Sequence, residues 1–321
     1  MRWRPTQTTG RAGRLNGVTF IAIPDRAVAF QAYQAGEVDI IQPDPGDVPG
    51  IQNDSALSQA YTQYSGACTE SYELNLTIPP FDEKLVREAF IYAYDRDAYI
   101  RDILQGTSVK TLTWIPPGFP GHDPDETRYD FDPERARTLL AEAGYPNGEG
   151  LPEVTLTYVS DDPAAESAAT YLVQRYQENL GVTITTSALD GTTIDELIVD
   201  VETHPQMVLS SWCAEYPDPK VWLSDYWHSR TDLASSFGYA NPEVDRLLDE
   251  ADRERDEATR LALYQQAQRL IIGDAPQIIR SHSINSFLIK PTFDGFDFTS
   301  QDWLFPGQAT GLMQVTGTSS E

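Results

Sequence analysis

Cationic residues are scarce in this sequence: its 321 residues hold 23 Lys+Arg against 49 Asp+Glu, a formal net charge of −26. Lysine is scarcest, confined to Lys84, Lys110, Lys220 and Lys290. Nucleic acid is thereby excluded as an expected partner, since phosphate binding rests on basic clusters that release counterions. No apolar run approaches the roughly 18 residues of a membrane-spanning helix. Histidine occurs only as His122, His204, His228 and His282, at spacings that build no metal site, so no metal centre is expected. No Gly-x-Ser-x-Gly elbow, Gly-x-x-x-x-Gly-Lys phosphate loop or dinucleotide fingerprint occurs, and no cofactor is expected. Asp123, Asp125, Asp130 and Asp132 lack the spacing of a calcium loop and read as turn and cap residues.

What is present points to a folded chain. With 40% hydrophobic and 11% aromatic residues a substantial core can form, and at about 150 residues per domain the length predicts roughly two domains. The acidic, Lys-poor surface reads as a solubility trait that carries a cost in self-repulsion. Met1 to Arg14 shows neither the apolar segment of an export signal nor a folded pattern. Asn16-Gly17-Val18-Thr19-Phe20-Ile21-Ala22-Ile23-Pro24 reads as a buried strand bounded by turn residues. Asp25 caps a short helix with Ala29, Phe30 and Tyr33 on one face and Gly36 past its end, and Val38-Asp39-Ile40-Ile41 follows as a strand. This succession is a parallel β-α-β unit, which needs partner strands that later elements supply poorly, so part of the domain is expected to be missing.

From residue 71 to 290 helices and strands alternate. Asp82, Asp132, Asp162 and Asn241 each stand before an apolar-periodic run as helix caps, with Gly144 and Gly181 as stops. Val154, Leu156 and Tyr158 alternate as a strand, Val182-Thr183-Ile184 forms another, and Gln277 to Arg280 and Ser286 to Ile289 read as two closing strands. The pattern is α/β with a mixed sheet. The run Asp249 to Glu257, mixed in sign, reads as solvated surface. Cys68 and Cys213 are too far apart for a redox pair and too few for a zinc site, and their spacing fits one long-range disulfide or two buried thiols equally.

The residues around the cysteines say more. Ala67-Cys68-Thr69-Glu70-Ser71-Tyr72-Glu73-Leu74-Asn75, then Pro79-Pro80-Phe81-Asp82-Glu83, Val86-Arg87-Glu88-Ala89 and Asp95-Arg96, closely resemble the extracytoplasmic solute-binding proteins of ABC importers in the oligopeptide/dipeptide/nickel class. Ser211-Trp212-Cys213-Ala214-Glu215-Tyr216-Pro217-Asp218-Pro219 is similar to the ligand-site strand and loop of the oligopeptide-binding members. Ala32-Tyr33-Gln34-Ala35-Gly36-Glu37-Val38-Asp39-Ile40, Ala141-Glu142-Ala143-Gly144-Tyr145 and Asn179-Leu180-Gly181-Val182 add to the match, which keeps its order from about residue 16 to 300.

The resemblance implies a periplasmic-binding-protein-like two-lobe fold with mixed sheets, lacking the N-terminal part of the first lobe and a small extra domain. Residues 1–70 and 288–321 would be a remnant of the lobe that bears the termini, and residues 71–287 the second ligand-binding lobe, with Tyr72 to Leu76 and Leu288 to Thr292 as the hinge. A disulfide between Cys68 and Cys213 is implied, and with it an oxidising periplasmic or cell-surface location. So is a monomeric, noncatalytic receptor that closes on a peptide and delivers it to an ABC permease in the membrane. Glu215 stands where peptide-binding relatives carry an acid, normally Asp, that pairs with the ligand α-ammonium. Trp212 and Tyr216 would flank it as apolar walls, with Cys213 beside them. Leu209 stands where some oligopeptide binders have an Arg that meets a ligand carboxylate, so capture of a peptide C-terminus there is not expected. A nickel complex or a sugar on the same fold, and a secreted hydrolase with two carboxylates, are the alternatives.

Overall fold

A computed structural model describes residues 2–3, 15, 17–296, 298–302, 306 and 316–317. The readings placed on Met1, on residues 4–14, on Asn16 and on residues 297, 303–305, 307–315 and 318–321 lie outside the described residues. The strands in chain order are β1 (Arg2–Trp3), β2 (Val18–Thr19), β3 (Ile40–Ile41), β4 (Tyr61–Leu74), β5 (Ser108–Val109), β6 (Val154–Val159), β7 (Ile184–Leu189), β8 (Met207–Cys213), β9 (Gln277–Ile289), β10 (Phe293–Asp294) and β11 (Thr316–Gly317). The helices are α1 (Arg26–Ala35), α2 (Val48–Asn53), α3 (Leu57–Ala60), α4 (Lys84–Tyr92), α5 (Arg96–Asp102), α6 (Pro133–Glu142), α7 (Pro163–Leu180), α8 (Gly191–Leu197), α9 (Pro219–Trp222), α10 (Ser224–Trp227), α11 (Asp232–Ser236), α12 (Pro242–Arg253) and α13 (Glu257–Asp274). The mixed α/β architecture expected from the alternating pattern is present. The chain divides into two units, one from the described parts of Met1–Ala67, Leu104–Ser108 and Ser283–Glu321, the other from Cys68–Ile103 and Val109–His282.

In the first unit, α1 forms where local signals agree. The Asp25 carboxylate accepts the Val28 N–H at 3.1 Å, and Gly36, at φ 83°, ends the helix in the left-handed region. Tyr33, Ile41, Ile51, Ala60 and Leu288 make a small core. The expected buried strand over residues 16–24 is not formed: only Val18 and Thr19 are extended in a ladder, paired with Arg2 and Trp3, and Phe20 and Ile21 are 40% and 58% exposed. Apolar residues make a buried strand only where another layer covers them, and nothing described in this unit does so here. The parallel β-α-β unit is likewise overturned, because β3 pairs antiparallel with β9, Ile40 opposite Ile289.

The second unit carries five neighbouring strands in the order β9-β4-β8-β6-β7. β6 runs parallel to both β7 and β8, and β4 runs antiparallel to β8. Asp162 caps α7 by accepting the Ala164 N–H at 2.9 Å. Gly181 ends it at φ 71°, where an added Cβ would stand 2.6 Å from the Asn147 carbonyl oxygen. α4 begins at Lys84 with Glu83, not Asp82, at the cap position and no side-chain cap bond. The strand expected from Val182 starts at Ile184, and the two closing strands are one, because Ser281 and His282 sit buried inside β9 and do not interrupt it.

Trp114, Trp222 and Trp227 are among the largest fully buried side chains. Trp114 meets Trp227 edge-on at 5.0 Å, and Tyr226 packs on Trp227 at 4.9 Å, geometries that favour the ring quadrupoles. Into this aromatic core the fold sets a buried acid, Glu73, 6% exposed. Its Oε1 lies 2.8 Å from His204 Nε2, and its Oε2 accepts the Tyr226 hydroxyl and Gln277 Nε2 at 2.9 Å.

Candidate functional site

Three strands run in one direction, so the chain leaves β6 at Val159, β7 at Leu189 and β8 at Cys213 along one edge of the sheet. β4 runs the other way and passes that edge at Cys68, directly opposite Cys213. Ligands of open α/β sheets bind beyond the carboxyl ends of the strands, which marks this edge of the second unit as the place to look. Cys68 and Cys213 are joined there by a disulfide.

Beyond the bridge, Ala214 to Asp218 form a short loop into α9, whose cap is Asp218, accepting the Lys220 N–H at 2.9 Å with Pro219 in the first helical position. Trp212 is half-buried. Its indole N–H donates to the Val221 carbonyl at 3.0 Å, and its ring meets Tyr226 edge-on at 5.1 Å. Tyr216 is 38% exposed, and its hydroxyl donates to Asp225 Oδ2 at 2.6 Å; burial and that bond push the phenol above its ordinary pKa. Glu215, between them, is exposed, and no hydrogen bond or ion pair joins it to any described residue. Leu209 is half-buried in β8, opposite Tyr72 of β4.

The loop's neighbours are charged, and the charges are spoken for. Asp218 takes a bidentate bond from Arg260 of α13, Nη1 to Oδ2 at 3.0 Å and Nη2 to Oδ1 at 2.6 Å. Partial burial works to raise the Asp218 pKa, yet the Arg260 fork holds it below the usual carboxylate value. Lys220 donates to Asp252 Oδ2 at 2.7 Å. Asp252 therefore departs from the solvated surface expected of the run Asp249 to Glu257, since it also accepts Ser224 Oγ at 2.8 Å and the Tyr264 hydroxyl at 2.6 Å.

Two residues at this edge were not singled out from sequence. Glu70, opposite Ser211, is raised in pKa by burial against the opposing pull of Arg280. Arg280, 5% exposed, donates Nη2 to Glu70 Oε2 at 3.0 Å and Nη1 to the Tyr99 hydroxyl at 3.0 Å, and lies 5.1 Å from the Tyr72 ring. The signal for Glu70 was its place two residues after Cys68. Arg280 carried no sequence signal, since nothing in its own segment names a partner 210 positions away.

His282 packs beneath the bridge, its ring bonded to the Cys68 backbone and Nδ1 3.1 Å from Thr69 Oγ1. Burial and the nearby His122 push its pKa down to about 3, so the folded ring is neutral while an unfolded one titrates near 6.5. The unfolded chain then binds the extra proton below about pH 6.5, and stability falls as the pH falls towards the folded value. Between pH 6 and 4 the parent protein is expected to lose stability faster than His282→Gln by up to about 1.4 kcal/mol per pH unit. Urea midpoints of both proteins across that range measure the difference, and parallel slopes would remove His282 from this role.

Comparison with known proteins agrees with the geometry. The family model described as bacterial extracellular solute-binding proteins, family 5 Middle, matches residues 3–233. A dipeptide-binding protein of Bacillus subtilis is 28% identical over 274 residues, 83% of this chain and 48% of the relative. Heme-binding protein A of Haemophilus influenzae is 27% identical over 285 residues, 88% of this chain and 51% of the relative. In fold, the chain is similar to a periplasmic oligopeptide-binding protein from Borrelia burgdorferi, with a TM-score of 0.80 at 24% identity over 95% of this chain and 59% of that one. The chain spans about half the length of the curated relatives it matches. With the family model covering most of the sequence, this chain belongs to the bacterial extracellular solute-binding proteins of family 5.

Proposed function

We propose that this chain is part of a peptide receptor that works outside the cytoplasm and hands its ligand to an ABC permease, with Glu215 pairing the peptide α-ammonium. In this reading residues 71–287 make up one ligand-binding lobe, residues 1–70 and 288–321 belong to the lobe that bears the termini, and the receptor is a noncatalytic monomer. The observation that carries the reading is the state of Glu215: an exposed carboxylate paired with no described residue, at the carboxyl edge of three parallel strands, between Trp212 and Tyr216, whose side chains are each held by a hydrogen bond. Such a carboxylate suits a charge-assisted bond to an ammonium group, and Trp212 and Tyr216 offer flanking ring surface. A dipeptide-binding relative at 28% identity is in keeping with a peptide ligand.

Calorimetry on the full-length gene product with a free tripeptide and its N-acetylated form tests the assignment. The free tripeptide is expected to bind at least about 30-fold more tightly, since leaving one member of a buried charge pair alone costs about 2 kcal/mol or more. Glu215→Gln is expected to erase most of that difference. Equal affinities in the parent protein would remove Glu215 from the site.

A further inference from the structure

Two of the chain's few cations, Arg260 and Lys220, belong to the surroundings of the Glu215 loop, and neither pairs with Glu215. Arg260 is held by both oxygens of Asp218. Lys220 lies 2.7 Å from Asp252 Oδ2 and 3.4 Å from Asp225 Oδ1. The three carboxylates are fixed in turn: Asp225 by the Tyr216 hydroxyl, Asp252 by Ser224 and Tyr264, and Asp218 by the backbone N–H of Lys220. Arg260 is further held 4.9 Å from the ring of Tyr264.

Glu215 and Asp218 are three residues apart, so their Cα atoms are separated by no more than about 11 Å. The Asp218 N–H bonded to the Tyr216 carbonyl at 2.9 Å turns the chain between them and shortens the span. A guanidinium released from Asp218 is thus within a flexible side chain's reach of the Glu215 carboxylate, which no described residue neutralises. An internal Glu215–Arg260 pair would compete with any ligand cation, and the apparent affinity would be scaled down to the fraction of molecules in which Glu215 stays free.

We propose that Asp218 is a positioning residue that keeps Arg260 off Glu215, and that Asp225 and Asp252 do the same for Lys220, so that Glu215 stays available to a ligand cation. The inference rests on the reading of Glu215 as the ammonium partner. It gives a supporting role in binding to Asp252, whose run reads from sequence as solvated surface.

Asp218→Asn tests it, because Asn still caps α9 while giving up the charge that holds Arg260. In calorimetry on the full-length gene product, this variant is expected to bind the free tripeptide about 10-fold more weakly than the parent and the N-acetylated form equally well. Asp218→Asn/Arg260→Met, which also removes the freed cation, is expected to return to within about 3-fold of the parent, as is Asp218→Glu, which restores the charge. A double variant as weak as Asp218→Asn would overturn the proposal, since support of the loop's shape alone predicts no recovery. So would loss of affinity for both peptides to the same extent. If the parent itself fails to distinguish the two peptides, the Glu215 assignment falls and takes this inference with it.

Discussion

Replacing Cys68 and Cys213 together by alanine is expected to lower the unfolding free energy by as much as about 5 kcal/mol, and the melting temperature by on the order of 10 °C. The two cysteines are 145 positions apart in sequence, and chain-entropy arguments give the largest gains to bridges that close long loops. In the folded protein the bridge joins residues that the β4–β8 ladder already places opposite each other. Its contribution therefore acts chiefly on the unfolded chain, which without it explores far more conformations. Urea denaturation of the parent, the parent under reductant and the double variant checks this. The last two are expected to coincide, both well below the first, and a single common midpoint would show that the bridge adds nothing.

Glu73→Ala is expected to cost about 3–5 kcal/mol, because it deletes the acceptor at the centre of a buried polar group. The Tyr226 hydroxyl and His204 Nε2 both point at its oxygens, and Gln277 Nε2 donates to one of them. After truncation the Tyr226 proton and the His204 ring lose their partner in a region where neither Tyr226 nor His204 is more than 3% exposed, so water does not replace it freely. A void is left as well. Glu73→Gln keeps the shape and one acceptor oxygen, and is expected to cost about 1–3 kcal/mol. Thermal melts of the two variants should rank in that order. A near-parental Glu73→Ala would mean that this buried polar group adds little net stability.

What could be read from sequence followed the range of the physics involved. The starts of α1, α7 and α12 were legible because Asp25, Asp162 and Asn241 act on backbone groups only two or three residues away. Gly36 and Gly181 marked ends for the same local reason. The strand at Val18 was misread because burial depends on a covering layer that a single segment cannot specify. β9 reads from sequence as two strands, and only the neighbouring Thr69 and the Cys68 backbone show why His282 is tolerated inside a single one. The short helices α9 to α11 carried too few residues for a period to show. At the candidate site, Glu215, Trp212 and Tyr216 were reached by resemblance, whereas the Arg260 fork on Asp218, 42 positions away, belongs to the tertiary fold. The same holds for Asp252, which composition alone placed among solvated charges.

The covalent joint at the sheet edge also bears on proteolysis. Exposed loop tips are the usual sites of nicking in a folded chain. A single cut anywhere between Cys68 and Cys213 would leave both pieces attached through the bridge, and β4 would remain registered against β8 from Cys68–Cys213 to Leu74–Met207. A nicked molecule would thus keep its sheet, and damage would become visible only after reduction.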